Sequence, residues 1–433
     1  MRVLKTWSES DKAQIKLLIE RSFLDRQIER QVEAIIEDVA RRGDEAISDY
    51  SVRFDDVWLG PHEFRVTKEG MARARREATK EFVSAFREVE RNLTLYHRRQ
   101  KPKGWKMDAG SGGAVGERWV PLERVGIYVP AGKAPLVSSL LMGVVPAKVA
   151  EVKDIAVFSP PGRDWEVNPF ILAACAMLGV EEVYRIGGAQ AIAAMALGTQ
   201  TIRKVDKVVG PGNIYVTMAK KALYGRAGID IVAGPSEVLI LADESARPSF
   251  VAADLLAQAE HGTGREICVL ATDSLTLAKS VQAELKSLVR SPERKRPGED
   301  KLLAAVFIVA TNSLSEAVQF ANDFAAEHVE VMTGRPDSVA AEIRNAGAIF
   351  IGPYSPVSVG DFYAGPNHIL PTGGTARFLS GLSVLDFMRR VGIISYTKKS
   401  LKAALPAVTK FAEVEGLHRH AEAVRLRFRR GRG

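Results

Sequence analysis

The chain has 433 residues, 46% hydrophobic and 26% charged, with 36 glycines and 20 prolines, enough for two or three domains with their own cores. No apolar run reaches the roughly eighteen residues of a membrane span, and "MRVLKTWSESDKAQIK" has no apolar core behind its basic residues, so no secretion signal is expected. The net charge of +8 draws on the final "RLRFRRGRG", read as a solvated and partly disordered tail; without an aromatic-interleaved basic stripe, it does not argue for nucleic acid.

In chain order, the first part reads as amphipathic helix. Ile28, Val32, Ile35, Ile36 and Val39 recur at three- and four-residue spacings, with Gly43 as a stop. A second helical run, "ATKEFVSAFREVERNLTLYHRRQ", gives way to short β-prone runs among the glycines of "DAGSGGAVGERWVPLERVGIYVPAG". The text then alternates as parallel α/β proteins do. "DIAVFSP" is a strand, "NPFILAACAMLG" a helix and "EEVYRI" a strand; "GGAQAIAAMALG" turns through glycine into a helix, and "KVDKVVGPGN" with "IYVTMAKKALYG" repeats the phrase. A second series runs through "EVLILAD", "REICVLATD", "AAVFIVATN", "HVEVMT" and "AIFIGP". Two series imply two parallel sheets joined near "GIDIVAGPSEVLI". From about Leu385 the chain returns to helix, too thin to fold alone and calling for another surface, such as a partner chain. Cys175 and Cys268 sit in apolar surroundings and read as reduced core residues of a cytoplasmic protein.

Candidate chemistry falls in a few short stretches. Gly187 and Gly188 stand between a strand and a helix N-terminus, where free N–H groups and the helix dipole favour an anion or nucleotide. "VVGPGN", ending at Asn213, repeats that arrangement one strand later, although a full G-x-G-x-x-G fingerprint is absent. In "RPSFVAADLLAQAEHG", one helix from Pro248 to a stop at Gly262, Gln258 and His261 share a face of the last turn. Such pairs are usually only exposed polar residues, but they can offer one oxygen and one nitrogen to a metal. Asp361 and His368 lie in the glycine- and proline-rich "SVGDFYAGPNHILPTGG", after a strand, where α/β proteins place functional groups outside the carboxyl ends.

Glu327 and His328, in "FAAEHVE", are the best candidates for proton transfer, since histidine titrates near neutrality and burial can raise a glutamate toward it. Glu415, His418 and His420 lie on a helical stretch, "EGLHRHAEAVRLR". The chain has seven histidines; His62 and His97 lack such company and are taken as surface residues.

At this point the text resembles a known family over nearly its whole length. "VGIYVPAGKAPL", "RIGGAQAIAA", "KVDKVVGPGN", "AGPSEVLI", "DLLAQAEHG", "AAEHVE", "SVGDFYAGPNHILPTGGTARF" and "EGLHRHAEAVRLR" look like successive blocks of the L-histidinol dehydrogenases. The resemblance implies an NAD-dependent oxidation of L-histidinol to L-histidine through L-histidinal, the last steps of histidine biosynthesis, with one zinc per subunit. Gln258, His261 and Asp361 would be zinc ligands, with His420 supplied by the partner subunit of a homodimer. Glu327 and His328 match the catalytic pair. Ser236, His368 and Glu415, with Gln258, His261, His328, Asp361 and His420, match the substrate site, and Tyr128, Gln190 and Asn213 the NAD site.

The implied fold is α/β: two incomplete Rossmann-like domains with parallel sheets, plus N-terminal and C-terminal helical segments. Its expected division is a helical arm over 1–25, a first domain over 26–126 and 237–384, an NAD-binding domain over 127–236, and a tail over 385–433 reaching the partner's site. Ala326 departs from the family, which often has proline there, and His418 offers a second register for the tail ligand, although the spacing from "EGL" favours His420. Relatives oxidising other polar alcohols, such as a sulfopropanediol dehydrogenase, share the metal and catalytic residues. A zinc hydrolase would use the same metal but leaves the glycine turns without purpose, and a non-catalytic nucleotide-binding module leaves the histidines unexplained. An oxygen–nitrogen ligand set would also accept manganese or cobalt.

Overall fold

The computed structural model describes residues 2–21, 25–131, 135–162, 164–261, 264–290 and 299–429. The helix stop read at Gly262 and the end of the basic tail, 430–433, lie outside the described residues. The chain divides into two units, Met1–Gln100 with Glu123–Phe387, and Lys101–Leu122 with Met388–Gly433.

The first unit opens on a strand, β1 (Val3–Lys5), followed by helix α1 (Glu9–Ile19), where an all-helical arm was expected. Next come α2 (Arg26–Arg42), α3 (Asp44–Asp55), α4 (Lys68–Glu77) and α5 (Lys80–Gln100). Asp25 caps α2 by accepting from the N–H groups of Gln27 and Ile28, an arrangement worth about 1 kcal/mol. Gly43 ends α2 at φ 60°, a conformation glycine adopts without strain, and α3 resumes at the next residue. Helix α5 buries Phe86, Leu93 and His97 on one stripe. His97 is therefore not the surface residue expected: it is fully buried and its Nδ1 lies 2.7 Å from Gln100 Oε1. His62 is exposed. Strands β2 (Trp105–Gly110) and β3 (Gly113–Pro121) belong to the second unit.

The first strand series is β4 (Arg124–Tyr128), α6 (Val137–Val149), β5 (Asp154–Phe158), α7 (Pro169–Met177), β6 (Glu182–Tyr184), α8 (Gly188–Leu197), β7 (Lys207–Val209), α9 (Ile214–Leu223) and β8 (Gly228–Ile229). Its strands form a five-stranded, all-parallel sheet in the order β6-β5-β4-β7-β8. Val32, Ile35 and Val39 of α2 share one core with Phe158, Ile192 and Met218. Helix α2 therefore covers this sheet, whereas the expected division grouped it with the other.

The amino edge of this sheet is tied by charge. Arg124, Asp154 and Glu182 are the first residues of β4, β5 and β6. The buried Arg124 guanidinium reaches Asp154 at 2.5 Å and Glu182 at 2.6 Å. Burial alone would raise the Glu182 carboxyl, but the hydrogen bonds and charge of Arg124 outweigh it and hold it at about 2. A depressed carboxylate stabilises the fold fully above its unfolded value and loses that contribution as pH falls toward the folded one. Urea titrations should therefore show stability declining between pH about 4.5 and 2, with a flatter decline in Arg124→Ala. At neutral pH that variant should lose about 2–3 kcal/mol, at or below the usual cost of breaking a buried pair because Asp154 is partly exposed. Identical acid slopes in the two proteins would show that the clamp contributes nothing.

The second series is β9 (Glu237–Ala242), α10 (Pro248–Ala259), β10 (Ile267–Thr272), α11 (Leu275–Arg290), β11 (Val306–Ala310), α12 (Leu314–Phe324), β12 (His328–Met332), α13 (Pro336–Ala340), β13 (Ala348–Ile351) and α14 (Val357–Phe362). With β1 they make a six-stranded, all-parallel sheet in the order β1-β11-β10-β9-β12-β13. Of its central strands, β9 and β12 are buried throughout and β10 in all but its first residue, as expected where helices cover both faces. Cys175 and Cys268 are buried and unbonded to each other.

In the second unit β14 (Met388–Ser395) pairs antiparallel with β3, and β3 with β2. Helices α15 (Lys398–Val414) and α16 (His418–Leu426) follow, separated by Gly416 at φ 71°. The region expected to be wholly helical thus contributes a strand. Ile394, Phe411 and Val414 are 70% or more exposed. No helix among the described residues is long and apolar enough to cross a membrane.

Candidate active site

Helix α12 ends at Phe324, and Ala325 turns the chain through a left-handed φ of 50°, at a cost of about 1–2 kcal/mol for a residue with a Cβ. The turn delivers Glu327 and His328 to the start of β12, both buried. Neighbouring β9 starts at Glu237, whose main chain orients both side chains. Its N–H donates to Glu327 Oε2 at 2.9 Å, and its carbonyl oxygen lies 3.0 Å from His328 Nδ1. Nδ1 must therefore carry the proton, which leaves Nε2 with a free lone pair. No hydrogen-bond partner meets Nε2 among the described residues. Burial, outweighing the bond to Glu237 and reinforced by His368 and His261, pushes the His328 pKa down to about 4. It is a neutral base at physiological pH. Burial also raises Glu327 well above the ordinary carboxylate range against the Glu237 N–H, with the Glu237 and Asp361 charges adding to the rise.

The Glu237 side chain serves a different purpose. Its carboxylate accepts from Arg21 Nη2 at 2.6 Å and from the Gly373 N–H at 3.1 Å. Arg21 also stacks 3.7 Å over the Phe324 ring and donates to the Phe324 carbonyl. The buried pair anchors the residue that holds both Glu327 and His328. Neither Arg21 nor Glu237 was singled out from the sequence; a charge at the head of the apolar run "EVLILA" was the available signal.

Asp361 lies in the short helix α14, not in the loop expected from its glycines and prolines. Its Oδ1 is 3.7 Å from His328 Nε2 and 3.8 Å from His368 Nδ1. Burial pushes its pKa up to about 6 against the opposing charge of His261. His368 Nδ1 faces the Asp361 carbonyl at 3.1 Å, and its Nε2 meets Ser139 Oγ of α6 at 3.1 Å. Ser139, buried in α6, is a second residue not singled out from the sequence. Gln258 is buried in the last turn of α10 with its Nε2 unpartnered, while His261 lies beyond the helix, its Nδ1 3.1 Å from the Gln258 carbonyl. Ser236 immediately precedes β9. This cluster gathers at the amino ends of β9 and β12, whereas functional groups were expected at carboxyl ends. Helices antiparallel to the strands deliver the C-terminus of α10 there.

The five-stranded sheet follows the usual rule. Tyr128 ends β4, and its hydroxyl accepts from the Gly188 N–H at 3.1 Å where α8 begins. Gly188 has φ 68°, and a Cβ there would come 2.6 Å from Gln190 Oε1. Gln190 is completely buried, yet neither amide atom has a partner among the described residues. Leaving such a group unmet costs about 1–3 kcal/mol, so a ligand that satisfies it gains correspondingly. Asn213 caps α9 with its side chain, accepting from Tyr215 and Val216. Buried Lys220 and Asp230 pair beside this turn, donating to the Gly210 carbonyl and accepting from the Gly210 N–H.

A metal has fewer ready-made donors. No group of three His, Cys, Asp or Glu side chains that could hold an ion occurs among the described residues. Gln258, His261 and Asp361 supply only two of those types plus an amide, so the set fits a metal only if the amide binds and another donor is added. Glu415 caps α15, and His418 and His420 begin α16, all three exposed in the second unit.

Glycine turns at neighbouring strand ends, with a neutral histidine base beside a buried glutamate, are the features of an oxidoreductase. A family model for histidinol dehydrogenase matches residues 20–428. Curated histidinol dehydrogenases of Geobacillus kaustophilus and Bacillus cereus are 46% and 43% identical, over 93% and 96% of this chain and 94% and 96% of their own lengths. The crystal structure of histidinol dehydrogenase from Elizabethkingia anophelis superposes with a TM-score of 0.91 at 34% identity, covering 99% of this chain and 98% of that one. The chain belongs to the histidinol dehydrogenase family.

Proposed function

We propose that this chain oxidises L-histidinol to L-histidine through L-histidinal, a four-electron reaction using two NAD+ and one zinc per subunit. The observation carrying the proposal is His328, neutral, with Nδ1 committed to Glu237 and Nε2 open toward Asp361. Zinc, when bound, supplies Lewis acidity and a template for the substrate's hydroxyl and amino groups, and NAD, when bound, accepts hydride. His328 takes the hydroxyl proton. Glu327, its basicity raised by burial, takes a proton from the water that hydrates the aldehyde. Tyr128, Gln190 and Asn213 bind NAD, while Ser236, His368 and Glu415 position the substrate.

Gln258, His261 and Asp361 hold the metal, with His420 of the partner subunit as the fourth donor. Two observations support a homodimer: the described residues hold no complete group of metal donors, and the second unit exposes the apolar side chains of Ile394, Phe411 and Val414. Two free buried cysteines accord with a cytoplasmic location.

A zinc hydrolase would leave the unmet Gln190 amide without a role. Purified protein given NAD and histidinol should form two NADH per histidinol consumed, with histidine as product and little free aldehyde. The same assay with a sulfonated diol tests the other polar alcohols. A ratio of one, or no NADH from histidinol, would overturn the proposed reaction.

A further inference from the structure

Three elements bear the site's side chains, and a buried contact joins them one repeat away from each. Asp254 precedes Gln258 by one turn of α10, so the two share a face. Glu330 follows His328 by two residues in β12, so both point to one side of the sheet. Val357 precedes Asp361 by one turn of α14. The Val357 N–H donates to Glu330 Oε1 at 2.7 Å, and Glu330 is 1% exposed. Glu330 Oε2 has no donor, so its contact with Asp254 requires a shared proton. Burial, reinforced by the Asp254 charge, holds Glu330 well above the usual carboxylate range, and burial holds Asp254 at about 6 against the Glu330 hydrogen bond. One proton therefore lies between the two carboxyls, while Glu330 Oε1 accepts from the Val357 N–H.

We propose that Glu330 is a positioning residue, a junction linking α10, β12 and α14 that sets the distances among Gln258, His328 and Asp361. The metal part of this inference rests on the ligand assignment above; the His328–Asp361 part does not. Glu330→Gln keeps both contacts without needing the shared proton, with the amide NH2 donating to Asp254 and the oxygen accepting from Val357. Glu330→Leu removes both bonds. Val357→Pro removes only the N–H, at the first position of α14, where proline suits a helix. The preceding Pro356 has φ −68° and ψ 156°, a geometry that tolerates a following proline.

The test measures zinc dissociation by competition with a chelator, kcat and KM for histidinol, KM for NAD, and thermal midpoint. Glu330→Gln should stay within about threefold of the parent in every measurement. Glu330→Leu and Val357→Pro should each lose roughly 10–100-fold in zinc affinity and kcat/KM, the usual cost of an outer-shell partner, with KM for NAD unchanged. A thermal midpoint that falls while zinc affinity and kcat/KM hold at low temperature would reduce Glu330 to a stability role and overturn the proposal. If Glu330→Leu does not fold, Val357→Pro decides alone. If His261→Ala binds zinc as tightly as the parent, the ligand assignment fails, and the positioning role is then decided by kcat/KM alone.

Discussion

With histidinal supplied directly, Glu327→Gln is expected to lose roughly 10²–10⁴-fold in the rate of its oxidation, the usual worth of a general base. With histidinol supplied and only the first hydride transfer followed, His328→Asn should carry a loss of that size instead. Each corresponds to about 3–5 kcal/mol of barrier. The division follows from geometry. His328 offers an unprotonated Nε2 suited to a substrate hydroxyl, whereas Glu327 is oriented separately by the Glu237 N–H. Both substitutions retain approximate shape and polarity while removing basicity. Stopped-flow NADH formation from each substrate distinguishes them, and equal losses in both half-reactions for both variants would show that the roles are not divided.

Removing a metal ligand should have an effect at least as large. His261→Ala and Asp361→Ala are expected to lose metal and activity together, with affinity falling by more than about 100-fold, because loss of an outer-shell partner alone costs 10–100-fold. His261 lies beyond the end of α10, and the Asp361 side chain, though largely buried, is small and polar and faces the site rather than an apolar core. Circular dichroism should be unchanged. Elemental analysis showing full zinc occupancy in both variants would refute the assignment, and restored occupancy without activity would place the residues in substrate binding instead.

Both parallel sheets were legible because strands covered on two faces read as unbroken apolar runs between glycine, proline and asparagine turns. The antiparallel sheet was not. Its strand β14, "MRRVGIIS", is largely exposed, and its pairing with β3 joins segments remote in sequence. His97 was misread although the evidence stood in the text: it falls four residues after Leu93 and eleven after Phe86, on the buried stripe of α5. In the site, histidines and their acidic neighbours stood out by scarcity. Arg21 and Glu237 did not, since each looks ordinary until the fold brings together residues 216 positions apart. The direction in which the cluster opens was also hidden, because sequence alternation locates strands and helices without saying which sheet end their loops complete.

The orientation of His328 and Glu327 by the main chain of Glu237 has an evolutionary consequence. No codon specifies an N–H or a carbonyl, so a side-chain replacement beside that position need not erase either contact, whereas one at Glu237 itself acts only by introducing proline or by breaking the Arg21 pair that anchors the strand. The proton-transfer groups can thus be exchanged one at a time while their mounting persists, which makes the start of β9 a suitable platform for drift toward other alcohols. Its weakness is of another kind. A single-residue insertion or deletion just before Glu237 would slide the peptide unit away from both groups at once, so this segment should tolerate substitution far better than any change in length.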